Sequence, residues 1–480
     1  MLYSYDTIHI VGNDSPAHVK KFKVKSGIRL KLLRRTLRSR RVLAQYVREL
    51  KVPETGVEIA NRSKDTIDLV ASIVMACPNL ERLVGFYATY DHNFDRLTHA
   101  LSTRKNLKEH VWIIGENQEI TNRSFLQLPP GLMDQTQKAA FLQLHATWNS
   151  LHTLFLHSQN MGILEHDVFL GVFSRLPSLQ HLYISNFDVD DFNDATLQAL
   201  PALQSLRLQD LHGITDQGLS RFATAPTSRS LRRLSIINLE ITSLLVISRI
   251  LANLTELDRF TLIQETSPDL PPDALIIQPI VASSSLSYMH WDIHQPSLAN
   301  THLASSILAA GFPALRTIRS PTDPHGALQA ICKPRAQLVL ASDKYHFAQR
   351  SALALAREPD NPHLRTLFAA RQKAQERLDE ARKSVRFQVV VDEDGVVRQV
   401  HDFNGFVGRV GSPIAYSLRP DVPGSDRAVV EMGDLWDGRR EVEVRDGCTG
   451  MWNASHPVGR KWWWHVERFR WRGVDLQRFF

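Results

Sequence analysis

An α/β solenoid of leucine-rich repeats, each unit a short parallel strand and a helix, is the fold class this sequence predicts. A recurring apolar grid, a nearly constant spacing between its occurrences and helical patterning in the stretches between them point to it. The grid is Leu-x-x-Leu-x-Leu, with Ile, Val, Met or an aromatic allowed. It reads "LHTLFL" from Leu151, "LQHLYI" from Leu179, "LQSLRL" from Leu203, "LRRLSI" from Leu231, "LDRFTL" from Leu257 and "LSYMHW" from Leu286, with a weaker "LRTIRS" at Leu315. The starts lie 24 to 29 residues apart, a period that leaves room for a helix on each return limb.

Within a unit the second and third grid positions, such as Leu206 and Leu208, are two apart and share one face of a strand, while Arg207 between them points the other way. Stacked strands give a parallel sheet with a continuous apolar inner face. Helices such as "DFNDATLQAL" (191–200) and "TDQGLSRFA" (215–223) cover it. One unit cannot bury its own apolar face, so repetition makes the core. Degraded grids at "VRELKV" (Val47), "LERLVG" (Leu80) and "LKEHVW" (Leu107) extend the array toward the N-terminus, and the solenoid is expected over 53–342.

The residues between grid positions form the outward, concave strand face, the usual binding surface of a solenoid. Phe155, His181, Tyr183, Arg207, Arg233, Tyr288 and His290 lie there and are expected to contact a protein partner. Aromatics and arginine are the side chains that dominate interface energetics.

Residues 1–52 are expected to form an N-terminal strand and a basic cap helix. "HVKKFKVKSGIRLKLLRRTLRSRR" (18–41) holds eleven Lys and Arg and no acid, with Leu30, Leu33 and Leu37 at helical spacing. That pattern reads as an amphipathic helix with a solvated basic face; nuclear import is a secondary reading, and nucleic-acid binding is not expected in the absence of a recognised nucleic-acid fold.

Beyond 342 the grid stops. Residues 343–386 read as a helical linker of two helices broken at "EPDNP", its second helix carrying alternating acids and bases suited to solvent. Residues 387–480 read as a small β-rich C-terminal region. "RFQVVVDEDGVVRQV" signals a hairpin turning at Asp394-Gly395, and "EVEVRDG" (441–447) a further strand. Six of the nine tryptophans lie beyond residue 430, which implies an aromatic core.

Composition narrows the function classes. A hydrophobic fraction of 43% with 22% charged residues belongs to a folded chain. Cys77, Cys332 and Cys448 are few, odd in number and far apart, which excludes a disulfide framework and a cysteine zinc site. No apolar run is long enough to span a bilayer, and the opening "MLYSYDTIHIVGND" lacks a signal-peptide layout. A cytoplasmic or nuclear chain is expected, with the Asn-x-Ser/Thr matches at Asn61, Asn122, Asn253 and Asn453 due to chance. There is no phosphate loop, no GxSxG and no HExxH. His290 and His294 are four apart on a strand end, where the rings do not converge on a metal. Neither an enzyme nor a cofactor is expected.

The run "ITDQGLSRFA" (214–223) is similar to a phrase in the repeats of F-box leucine-rich-repeat proteins, although the cysteines common in those repeats are absent here. The opening "YDTIHIVG" with "RLKLLRRTLRSRRVLAQYVRELKV" looks like the segment that follows the F-box in many fungal F-box-like proteins. The closing "WWWHVERFRWRGVDLQRFF" resembles their endings. The resemblance implies substrate recognition for an SCF-type ubiquitin ligase, with transfer done by other subunits. The F-box is not visible here, so a Skp adaptor and a cullin are expected as partners only if an F-box lies upstream. The alternative is a repeat scaffold unrelated to ubiquitin, with nuclear placement as its secondary reading.

Overall fold

The computed structural model describes residues 6–10, 23, 26–52, 64–116, 132–159, 162–271, 276–295, 298–340, 343, 366–384, 386–421, 427–436 and 474–480. The chain divides into two compact units, one of residues 1–218 with 430–480 and one of residues 219–429.

In the first unit, β1 (Thr7–His9), β2 (Glu49–Lys51) and β3 (Arg82–Val84) form a parallel three-stranded sheet in sequence order. A parallel run follows, made of β4 (Thr89–Tyr90), β5 (Glu109–Ile114), β6 (Thr153–Ser158), β7 (His181–Ser185) and β8 (Ser205–Gln209). The three degraded grids therefore each supply a strand, β2, β3 and β5. Parallel neighbours need a crossover between them. The helices Lys64–Ala76, Arg96–Ser102, Gln135–Leu144, His166–Ser174 and Asp194–Gln198 lie on these return limbs.

Leu154, Leu156, Leu182, Ile184, Leu206 and Leu208 all face the core and are at most 1% exposed. Each such side chain contributes about 1.5–3 kcal/mol over an exposed one. A left-handed residue sits directly after β7 (Asn186, φ 62°) and β8 (Asp210, φ 52°). Asn and Asp tolerate that conformation, and it turns the chain so that Phe187 and Leu211 become buried.

The phrase "ITDQGL" has a mechanical reading. Thr215 Oγ1 accepts from the Gly218 amide at 3.1 Å, capping the helix Asp216–Thr224, and donates to the Asp194 carboxylate at 2.6 Å. A Cβ at position 218 would collide with that carboxylate. Glycine is what lets the two return limbs meet.

The basic helix Ser26–Ser39 buries Leu30 and Leu37, and Leu33 partly, while Lys31, Arg35 and Arg38 stay exposed, as its periodicity predicts.

The second unit carries β9 (Arg233–Ile237), β10 (Arg259–Gln264), β11 (Tyr288–Ile293) and β12 (Thr317–Arg319), again parallel, one per repeat. Asn238 (φ 53°) repeats the left-handed exit after β9. The hairpin predicted around Asp394-Gly395 is present as β13 (Arg386–Glu393) and β14 (Val396–Asn404), and both turn residues have positive φ, the geometry of a type I′ turn. β15 (Ala415–Tyr416) then pairs in parallel with β12. A segment expected in a separate β-rich region thus extends the repeat sheet.

The helix Leu367–Ser384 departs from the solvent-exposed linker its charge pattern suggests. Leu367, Ala370, Ala374 and Leu378 are buried, and so is Arg371. The Arg371 guanidinium clasps Asp343 with two bonds of 2.7 Å and donates to the Leu418 carbonyl at 2.8 Å. Alternating charge predicts solvation only where no opposite charge awaits in the fold, and Asp343 is distant in sequence. The predicted break at "EPDNP", the strand at 441–447, the tryptophans from Trp452 onward, Cys448, and Asn61, Asn122 and Asn453 lie outside the described residues.

Candidate recognition surface

In the first unit, strand register aligns Val111, Phe155, Tyr183 and Arg207 across β5 to β8 on the face turned away from the leucine core. Thr153, His181 and Ser205 form the row beside it. Phe155, His181, Tyr183 and Arg207 were expected to be exposed. Instead Phe155 and Tyr183 are fully buried and Arg207 is 2% exposed.

The cover is the chain's own segment 474–480. The Phe479 ring meets Phe155 edge-on with centroids 5.0 Å apart and Tyr183 at 5.7 Å; Phe480 meets Phe155 at 5.6 Å and His181 at 5.7 Å. Arg207 lies over the rings of Tyr183 and Phe479, at 5.0 and 5.4 Å, and donates to the Phe479 carbonyl at 3.2 Å. Its other amino group donates to Gln209 at 2.7 Å, and Gln209 also accepts from the Tyr183 hydroxyl at 3.1 Å. Gln477 donates to Thr153 at 3.1 Å. The expectation of a free surface at Phe155, Tyr183 and Arg207 is corrected for this physical reason, and His181 is half-buried under Phe480.

In the second unit the middle row is Ser235, Thr261, His290 and Arg319. His290 is 1% exposed, so this expected contact residue is also closed to solvent. Arg319 is held by a two-pronged bond to Asp421 at 2.7 and 2.8 Å and by the carbonyls of Arg419 and Ala428.

The neighbouring row is different. Register places Arg233, Arg259, Tyr288 and Thr317 side by side on β9 to β12, all half-buried and reachable from solvent. The Arg259 guanidinium lies 4.4 Å from the centre of the Tyr288 ring. Among the described residues no carboxylate pairs with Arg233 or Arg259; the nearby ion pair is Arg232 with Glu256. Like charges directly opposite on adjacent strands are destabilising, so this arrangement favours an anionic group above it. Arg233 and Tyr288 were picked out by their grid position. Arg259 was missed, although it fills the same slot of "LDRFTL" as Arg233 does in "LRRLSI".

Two buried cysteines and a buried histidine are held neutral. Burial pushes the Cys77 and Cys332 thiols up to about 12, which keeps them out of the reactive thiolate form. Burial also drives the His145 imidazole down to about 4. Its two nitrogens are engaged by the Phe141 carbonyl and the Trp112 indole. His294 contacts Glu265 at 3.1 Å and Asp292 at 3.6 Å. Among the described residues no three His, Cys, Asp or Glu side chains come together as a metal site, and no helix is long and apolar enough to cross a membrane.

No protein-family model and no curated protein matches the chain. Among solved structures it is similar to a chain of the Rad7 and Elc1 complex in yeast, with a TM-score of 0.36 and 15% identity over 58% of this chain and 71% of that one. It is also similar to a chain of the TLR13–ssRNA13 complex, with a TM-score of 0.32 and 15% identity over 58% of this chain and 37% of that one.

Proposed function

We propose that this chain is a protein-interaction module that binds an acidic segment of a protein partner on the strand face of its repeats, through Arg233, Arg259 and Tyr288. The observation that carries this reading is the pair of register-matched guanidiniums, neither paired with a carboxylate among the described residues, beside a half-exposed tyrosine. Guanidinium forks match carboxylates in a bidentate way, and Arg and Tyr are enriched where interface energy concentrates. In this reading the chain does no chemistry of its own.

The resemblance of "ITDQGLSRFA" and of the two ends of the chain to F-box leucine-rich-repeat proteins extends the proposal. The partner is then a substrate of an SCF-type ubiquitin ligase, and a Skp adaptor and cullin join through an F-box supplied upstream. A capture experiment from cell extract separates this from a scaffold unrelated to ubiquitin. The chain as given is compared with a version extended upstream to any in-frame F-box, and bound proteins are identified by mass spectrometry. Recovery of the adaptor and cullin with the extended version supports the receptor reading. Recovery with neither, alongside other partners, supports the scaffold.

A further inference from the structure

The first unit carries a second recognition element, one already occupied. We infer that Thr153, Phe155, His181, Tyr183 and Arg207, with Tyr87 and Val111 lining the cavity that Leu476 shares, form a peptide-binding cradle for a segment with an aliphatic residue followed, three positions on, by two consecutive aromatics. Residues 474–480 fill it as an exchangeable intramolecular ligand. The inference rests on the reading of the strand face as a recognition surface.

The segment sits as a bound peptide would. Leu476–Phe479 make a single 3₁₀ turn that organises itself, with Asp475 accepting from the Gln477 amide at 3.0 Å. Leu476, Phe479 and Phe480 are buried, while Asp475 and Arg478 point to solvent. Two rings act as anchors. The side-chain hydrogen bond from Arg207 goes to the backbone carbonyl of Phe479, an atom that any peptide supplies in the same place.

The cradle does not depend on its occupant for a core. The same strands bury Leu154, Leu156, Leu182, Ile184, Leu206 and Leu208 on their opposite face, so the sheet is held from behind. The occupant's hold is modest: burial of its few apolar side chains is set against the ordering of seven residues, two effects of similar size. Charge repulsion also opposes it. Glu109, buried and 3.3 Å from Arg82, has its carboxyl raised by burial in the first place and also by the charge of Asp475. A tethered ligand competes at an effective concentration near millimolar, so a partner peptide of the same pattern meets a cradle closed unless the segment is weakened or outcompeted.

The test uses the full chain, unaltered and as the F479A/F480A and F480A variants, with a fluorescent peptide Val-Asp-Leu-Gln-Arg-Phe-Phe copied from 474–480 as probe. A control peptide has both phenylalanines replaced by alanine. The expected result is that F479A/F480A keeps its circular dichroism and cooperative melt and binds the probe about tenfold or more tightly than the unaltered chain does. F480A should fall between them, and the control peptide should not bind. A folded variant that does not bind the probe overturns the inference. So does loss of the cooperative melt in both variants, because a segment needed to fold is part of the core and not an exchangeable ligand. Capture of partners through Arg233 and Arg259 is measured on the same proteins. If that capture persists while the probe fails, the cradle inference falls alone and the proposed function stands.

Discussion

The guanidinium of Arg207 donates to the carbonyl oxygen of Phe479 at 3.2 Å across 272 positions of sequence. One bond thus joins the middle of a repeat strand to a segment that has no repeat character. It turns what looks in sequence like an open binding side chain into a buried structural cation with ring faces on two sides.

Arg207→Glu is therefore predicted to release the segment 474–480, since it sets a carboxylate against the Gln209 and Phe479 carbonyl oxygens, and to lower stability by no more than that segment's modest hold, about 1–2 kcal/mol. Arg207→Met, which keeps the volume and removes the charge, should cost less. Denaturant unfolding of both variants checks this; an unchanged midpoint for Arg207→Glu would return the side chain to the solvent-facing role its grid position suggests.

The ion pair of Arg371 and Asp343, 4% exposed on both sides, holds the helix Leu367–Ser384 in place. Asp343→Ala should cost about 3–5 kcal/mol because it strands a buried guanidinium. The double variant Asp343→Ala with Arg371→Leu should recover part of that loss. Hydrogen exchange along 367–384 reports where the loosening occurs: faster exchange confined to that helix is expected in Asp343→Ala.

Burial raises the Asp191 carboxyl to about 7, with the charges of Asp188 and Asp190 adding to the effect. The folded state thus keeps a proton that the unfolded chain releases near its ordinary value of 3.8. Stability from this group is present below that value and is lost as pH rises toward 7. Asp191→Asn should remove the loss. The variant is predicted to lie close to the unaltered protein at pH 4 and to exceed it by about 4 kcal/mol at pH 8, which denaturant unfolding at the two pH values measures.

The array was legible because its cause is local. A strand whose second and third grid positions must both enter the core declares itself within six residues, even in "VRELKV", where Val47, Leu50 and Val52 prove buried. Asn186, Asp210 and Asn238 mark strand exits in the same local way. Which outward residues remain open was not legible, because it is decided by segments far along the chain: Phe479 over Phe155 and Tyr183, and Asp421 under Arg319. The closing "DLQRFF" held the available signal, an aliphatic residue and two rings with no grid around them to bury them. For Arg259 the signal was grid alignment itself, since it shares a slot with Arg233 and Tyr288.

The reading of Arg233, Arg259 and Tyr288 as the partner-binding row is tested most directly by one comparison. The unaltered chain and an R233E/R259E variant are used to capture proteins from the same extract at two salt concentrations, with a thermal melt of each run alongside. The account predicts that the variant melts within a few degrees of the unaltered chain, because both side chains are half-exposed and neither pairs with an acid among the described residues. It also predicts loss of a set of acidic partners that the unaltered chain holds best at low salt. The same partners captured in equal amounts by both proteins would contradict it.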